Sequence, residues 1–337
     1  TYTNVTADSS LPGYTLTVSQ SGYYRAAVTC NGNTVFTAPR FISVNQPLAG
    51  GTYSINNAQP TAGNNFNSFT DAALAVKCGI AGAVTFNVTP NSGPYNEQLV
   101  LNSIPNTSAT NTIRFLGNGN TLAFTAVSTA SPATVTLNGA DFVTIDSLVI
   151  LANGRGTSQA GWGVWITNDA DNNTISRNRI VLDSAQTSTT LYNGIIVSGT
   201  TASPTASGHG CDSNSIVNNT VLGGYYSVSI AGVSSQLSFG NRILNNKLWH
   251  QYAYGVYLNN TIGAIVEGND ITRGNRAVSS TTYYGIYTTS GIQELRINAN
   301  RIYNPFGGAL TSTSTFYGIY MTGSDGASAS LPNIISN

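Results

Sequence analysis

Most of the chain is written in short runs of four to six residues that alternate apolar and polar and then meet Asn or Gly, as in Ala264 to Glu267 before Gly268 and Asn269. That is strand periodicity, with no helical stretch between the runs. From residue 162 on, an aromatic, a small residue and an aliphatic recur: Trp162-Gly163-Val164, Tyr226-Ser227-Val228, Tyr254-Gly255-Val256, Tyr284-Gly285-Ile286 and Tyr317-Gly318-Ile319, with Asn193-Gly194-Ile195 as the variant. Their small residues are spaced by 31, 33, 28, 30 and 33. A second series, Asn then any residue then an aliphatic, runs in step: Asn178, Asn219, Asn246, Asn269 and Asn300, with Asp146-Ser147-Leu148 one repeat earlier and Asn337 closing the series.

Sequential strands with such a repeat and no crossover helices pair in parallel only if the chain winds as a solenoid. The predicted fold class is therefore all-β, a parallel β-helix. Winding places each Asn of the second series above the last at the strand spacing of about 4.8 Å. Stacked amides then bond up and down one structural ladder of Asn178, Asn219, Asn246, Asn269 and Asn300, and Asn tolerates the left-handed backbone of a sharp corner.

This pattern resembles the right-handed parallel β-helix proteins, the superfamily of pectate lyases, polygalacturonases and pectin methylesterases, over roughly residues 47–337. The resemblance implies a right-handed solenoid and leaves the activity open, because that solenoid carries many. The entry segment fits it. Ser68-Phe69-Thr70-Asp71, then Ala72 to Lys77 and Gly79, predict one capping helix over about 68–78, with a hydroxyl N-cap and a glycine stop, laid across the open end of the solenoid. Strands are expected at Ala83 to Val88, Glu97 to Leu101 and Thr112 to Leu116. Gly93-Pro94-Tyr95-Asn96-Glu97 looks like the Gly-x-Tyr-x-Glu of pectin methylesterase-like β-helices, which gives Tyr95 and Glu97 structural roles.

Residues 1–46 read differently. Tyr14 to Val18, Gly22 to Cys30, the turn Asn31-Gly32-Asn33 and Phe36 to Val44 resemble the last three strands of an immunoglobulin-like β-sandwich of bacterial surface proteins. Three strands cannot close a sandwich of about seven. The chain also halts within a repeat at Asn333 to Asn337, so the expectation is a piece of a longer polypeptide, with the partner of Cys30 in the missing part.

Composition narrows the function classes. Of 337 residues only 13 are Lys or Arg and 13 Asp or Glu, or 8 % charged with a net charge of zero, against about 25 % in ordinary soluble proteins. Balanced charge gives no basic footprint for nucleic acid. The longest apolar runs, such as Phe142 to Leu151, fall short of the roughly 20 residues that span a bilayer. Cys30, Cys78 and Cys211 lie far apart without a CxxC spacing, which argues against a zinc site or redox pair. Only Lys77 and Lys247 represent lysine, and Asn, Thr, Ser and Gly abound, as suits an extracellular or bacterial cell-surface protein kept soluble by amides and hydroxyls.

Candidate chemistry is sparse. Catalysis on polysaccharides needs paired carboxylates about 5 to 9.5 Å apart, and the best cluster is Asp169 and Asp171 after the strand Gly163 to Ile166, with His209 some forty residues on. Asn168-Asp169 and Gly208-His209-Gly210 resemble polygalacturonase motifs, but that family's Asp-Asp pair and Arg-Ile-Lys are missing, and His209 falls in a Ser/Thr/Gly-rich loop. The other reading of Asp169 and Asp171 is turn capping or a calcium site with neighbouring carbonyls. Glu267, Asp270 and Arg273 fall on alternating faces and build no lyase site. No other cofactor is implied.

A second candidate is aromatic. Two residues after each small residue of the repeat stand Trp165, Ile196, Ser229, Tyr257, Tyr287 and Tyr320, sent outward by period-two alternation. Trp165, Tyr257, Tyr287 and Tyr320 are the candidate ligand-binding residues, suited to sugar rings or a flat partner; the competing role is to stabilise the sheet by cross-strand aromatic pairs. Asp146-Ser147-Leu148 and Asp183-Ser184-Ala185 look like O-glycosylation sites of secreted Bacteroidota proteins, whose surface proteins leave by type IX secretion. The expected function is a non-catalytic structural or adhesive surface protein presenting an elongated face to glycans or proteins. The alternative is a polysaccharide lyase or glycoside hydrolase acting on acidic polysaccharide.

Overall fold

The structure is a computed structural model that describes residues 15–156, 159–208, 210–309, 311–323 and 331–337. The chain divides into two compact units, Thr1–Gln46 and Pro47–Asn337.

The second unit is a parallel β-solenoid of about nine turns. Each complete turn places one strand in each of three sheets, as Arg242–Leu244, Lys247–Trp249 and Tyr254–Asn259 do before the chain returns to Ile265–Glu267. Among the described residues the first sheet has eleven strands and the second and third have eight each. Arg242 pairs with Ile265, and Thr174 with Ser215, so one turn consumes from 23 to 41 residues. From Thr174–Ser176 to Arg296–Asn298 the first-sheet strands all stay three residues long; the corners absorb the difference.

Inward-facing Val, Ile and Leu from all three sheets form one continuous core. At its entrance lies the only helix among the described residues, Phe69–Ala75, shorter than the sequence suggested. Ser68 caps it by accepting from the Asp71 N–H at 3.0 Å. Glu97 accepts from the Phe69 and Thr70 N–H groups at 3.0 and 2.9 Å, an anion at the positive end of the helix. Phe69 and Ala72 carry the helix onto the core, where Phe69 meets Tyr95 edge to face at 5.1 Å. The early strands include Ile80–Val88, Leu99–Asn102 and Ile113–Leu116; Glu97 is left out because it lies in the bend between Tyr95–Asn96 and Leu99–Asn102.

The turn between the first and second sheets is held by amides. The Asn178 N–H donates to Asn219 Oδ1 at 3.0 Å, Asn219 to Asn246 at 2.9 Å, Asn246 to Asn269 at 2.9 Å and Asn269 to Asn300 at 3.0 Å. Each Nδ2 also reaches the next Oδ1 and a strand carbonyl of the preceding turn, as Asn246 does to Asn269 at 3.0 Å and to Ile216 O at 2.9 Å. The left-handed residue is not the ladder Asn but the one before it: Arg177, Asn218, Asn245, Gly268 and Ala299 have φ between 51° and 67°. The ladder residue itself is not left-handed and keeps its amide buried. A second, shorter ladder of Asn173, Asn214 and Asn241 guards the corner before the first sheet, with bonds of 3.0 and 2.9 Å.

In the first unit, four short strands form two antiparallel pairs, Gly22–Tyr24 with Arg40–Ile42 and Ala27–Cys30 with Asn33–Phe36. The expected long strand from Gly22 to Cys30 is interrupted at Arg25 and Ala26, where Ala26 bonds to both the main chain and the side chain of Thr37. Asn31 and Gly32, at φ 49° and 75°, make the tight hairpin turn. Residues 15–18 form no strand, and Tyr14 lies outside the described residues.

Candidate functional site

The third sheet is unlike the other two. Strands of the first carry Arg114, Asp146, Arg242, Glu267 and Arg296, and strands of the second carry Arg179, Lys247, Asp270 and Arg301. None of the eight strands of the third carries a charged residue. Its outer side carries aromatic rings instead.

The small residues of the repeat explain how. A Cβ on Gly255 would lie 2.4 Å from Gly285 O and 2.5 Å from Ile271 Cγ2, and one on Gly285 would lie 2.6 Å from Gly318 O and from Ile302 Cγ2. Only glycine lets the third sheet close onto the second here. Gly255 and Val256 then both face inward, breaking strict alternation, so Tyr254 and Tyr257 both stand outside. Two aromatic columns result, where the sequence pattern suggested one.

Tyr226, Tyr254, Tyr284 and Tyr317 are in register on four turns, with centroids 4.6, 4.9 and 5.3 Å apart and ring planes within 13° of parallel. Tyr257, Tyr287 and Tyr320 form the second column, at 5.6 and 5.4 Å. The columns touch, Tyr284 to Tyr287 at 4.9 Å and Tyr317 to Tyr320 at 4.6 Å. Tyr225 and Tyr252 extend the field at the sheet's leading edge. The rings of the first column spend their faces on each other. Exposure grows along it, from 8 % at Tyr226 to 37 % at Tyr317. Burial first, and neighbouring phenols second, push the Tyr226 and Tyr254 hydroxyls well above the ordinary tyrosine range.

No family model, curated protein or solved structure matches the chain. The site therefore rests on its own geometry.

Trp165 shares the register of Tyr257, Tyr287 and Tyr320 but is separated from them by Ile196 and Ser229. Its indole N–H donates to Ser198 O at 3.1 Å, and the Ser229 hydroxyl donates to Pro204 O at 2.8 Å, so the 199–208 loop lies over this part of the column. Trp165 packs against buried Trp162. The open tyrosine field begins at Tyr254 and Tyr257.

Asp171 sits in the corner after the strand Gly161–Thr167, in a carboxylate column. The Asp171 N–H donates to Asp141 Oδ1 at 2.8 Å, the Asp212 N–H to Asp171 Oδ1 at 2.7 Å and the Phe239 N–H to Asp212 Oδ1 at 2.7 Å. Burial, and after it the nearby charges of Asp212, Asp141 and Asp169, outweigh the hydrogen bond from Asp212 and push the Asp171 carboxyl up to about 6. Beside it the buried Cys211 thiol is raised to about 12, chiefly by burial. Asp169 occupies a left-handed position after Asn168, both at φ 56°. His209 lies outside the described residues. Among the described residues no three His, Cys, Asp or Glu side chains are grouped to hold a metal ion.

Several of the other charges are spent on structure. Buried Asp146 accepts from Arg114 at 2.5 Å and from Arg177; these donors and Ser147 hold its carboxyl below the usual range although burial alone would raise it. Glu267 faces Arg296 at 3.9 Å and Asp270 faces Arg301 at 3.8 Å. Arg273 is fully buried instead, donating to Val278 O and lying over Tyr252 and Tyr283. Arg276, also buried, donates to His250 O at 2.7 Å and to Gln186 O, so one side chain staples corners of several turns. Composition gave no sign of either role; an Arg in a corner between strands reads as solvent-exposed. No helix among the described residues is long and apolar enough to cross a membrane.

Proposed function

We propose that the chain is a segment of a secreted or bacterial cell-surface protein in which a non-catalytic β-helix presents its third sheet to glycans or partner proteins. The double tyrosine row carries this reading: six phenols on three consecutive turns, from Tyr254 to Tyr320, form one uncharged strip with rings repeating at about the strand spacing. Tyrosine offers apolar area and a hydrogen-bonding tip at low entropic cost, as recognition surfaces require. In the same proposal the solenoid is right-handed and of the pectate lyase-like kind, residues 1–46 are the end of an immunoglobulin-like module, and the source is a Bacteroidota-type surface protein. The amide- and hydroxyl-rich, lysine-poor composition supports the extracellular setting. Of the two glycosylation-like motifs, Ser184 is exposed while Ser147 is half-buried between buried Asp146 and Leu148, so Asp183-Ser184-Ala185 is the more accessible.

The test is a panel of immobilised polysaccharides and surface proteins probed with the chain and with Tyr287→Ser/Tyr320→Ser. Retention that the double variant loses is expected; retention unchanged in the variant would sink the role of this face. A second reading, a lyase or hydrolase of acidic polysaccharide, is favoured by Asp171 alone, held where a general acid works near neutral pH. Release of reducing ends or unsaturated products from pectin, abolished by Asp171→Asn, would replace the first reading.

A further inference from the structure

We infer that the tyrosine face takes an extended, neutral, equatorially linked polysaccharide laid along the solenoid axis, one sugar per turn. This rests on the glycan-presenting reading and narrows it to a chemical class.

Three observations carry it. The first is charge. The segments 223–241, 251–263, 277–293 and 304–323, which hold the tyrosine strands and their flanks, contain no Asp, Glu, Lys or Arg. The nearby Arg273 and Arg276 are buried, with guanidinium groups bonded to backbone carbonyls. An acidic chain desolvated against such a strip would find no cation to offset the loss of water, whereas a neutral polyol exchanges hydrogen bonds at little net cost.

The second is spacing. Successive tyrosines stand 4.6 to 5.6 Å apart along the axis. An extended, straight chain of equatorially linked pyranoses advances by close to that distance per sugar, so each sugar can meet one phenol of the row, successive sugars presenting alternate edges. A helical, axially linked glucan curls and cannot follow a straight row of phenols.

The third is what the rings offer. In the column from Tyr226 to Tyr317 the faces are stacked on one another, so ring edges and hydroxyls remain for a ligand. Among the described residues the second column's hydroxyls have long partners, Asn259 to Tyr257 and Tyr287 to Thr322, both at 3.5 Å. Beside the strip, at the start of the strand Thr315–Met321, a groove of about 480 Å³ is lined by Ser279, Thr311, Ser312, Thr313 and Ser314, more hydroxyls without charge.

Isothermal titration with cello- and manno-oligosaccharides of increasing length, amylose fragments and oligogalacturonates tests this. Affinity should rise with length to about three sugars, one for each turn of the open field from Tyr254 to Tyr320, and stay constant as salt is added. Tyr287→Phe/Tyr320→Phe, which keeps the rings and removes two hydroxyls, should weaken binding roughly tenfold. Amylose fragments binding equally well overturn the axial register. Oligogalacturonate binding more tightly, and weakening with salt, overturns neutrality while leaving a glycan-binding face. No binding to any of these sugars overturns the inference, and the polysaccharide panel then decides whether the broader reading survives.

Discussion

The amide ladder and the tyrosine face are built by the same repetition and end up opposite in character. Asn178 to Asn300 are stacked inside the solenoid wall, where each side chain gives to one neighbour and accepts from the other. The column is closed: the polar atoms named in it are spent on the turns before and after. Tyr254 to Tyr320 are stacked outside, where rings satisfy rings and the hydroxyl tips have few or long partners. A repeated residue becomes structural when its polar atoms complete each other, and available for recognition when only its apolar part does.

The largest expected effect breaks the closed column. Asn246→Ala removes the amide that serves Asn219, Ile216 and Asn269 and leaves buried donors and acceptors unpaired. At about 1 kcal/mol or more for each lost bond, unfolding stability should fall by about 3 to 4 kcal/mol in denaturant titration. A loss under about 1 kcal/mol would mean that the ladder decorates the corner without holding it.

A smaller effect sharpens the contrast from the carboxylate column, which is closed through backbone N–H groups yet strained by charge. The Asp171 carboxyl titrates near 6 when folded and near its ordinary value of about 3.9 when unfolded. The folded state therefore holds the proton more tightly, and its contribution is complete below about pH 4 and lost as pH rises toward 6. Since the group is partly solvated, the change is about 1 kcal/mol. Asp171→Asn keeps an oxygen for the Asp212 N–H and should flatten that slope and raise stability at pH 7. A slope that persists in the variant assigns it to other groups.

The solenoid was legible in the sequence because one residue class recurred at one place in every turn. What escaped was set by contacts that no single turn contains. The left-handed corner positions are filled by Arg, Asn, Gly and Ala in turn, so no residue type marks them. The first tyrosine column was hidden because alternation sends Tyr254 and Tyr257 to opposite sides; only the collision of a Cβ at Gly255 with the next turn shows why both face outward. The helix is shorter because its last residues serve the turn into the first sheet, where the Gly79 N–H returns to Val76 O at 2.8 Å. Trp165 shared the period of the tyrosines, but the 199–208 loop above it follows no repeat.

The smallest expected effect on folding tests the central claim most directly. Thermal unfolding and cello-oligosaccharide binding should be measured together on Tyr257→Phe/Tyr287→Phe/Tyr320→Phe. The ring stack is preserved, so the unfolding midpoint should stay within about 2 °C of the parent, while binding falls tenfold or more. A lowered midpoint with binding intact would contradict the account, because it would make the outer column another structural ladder.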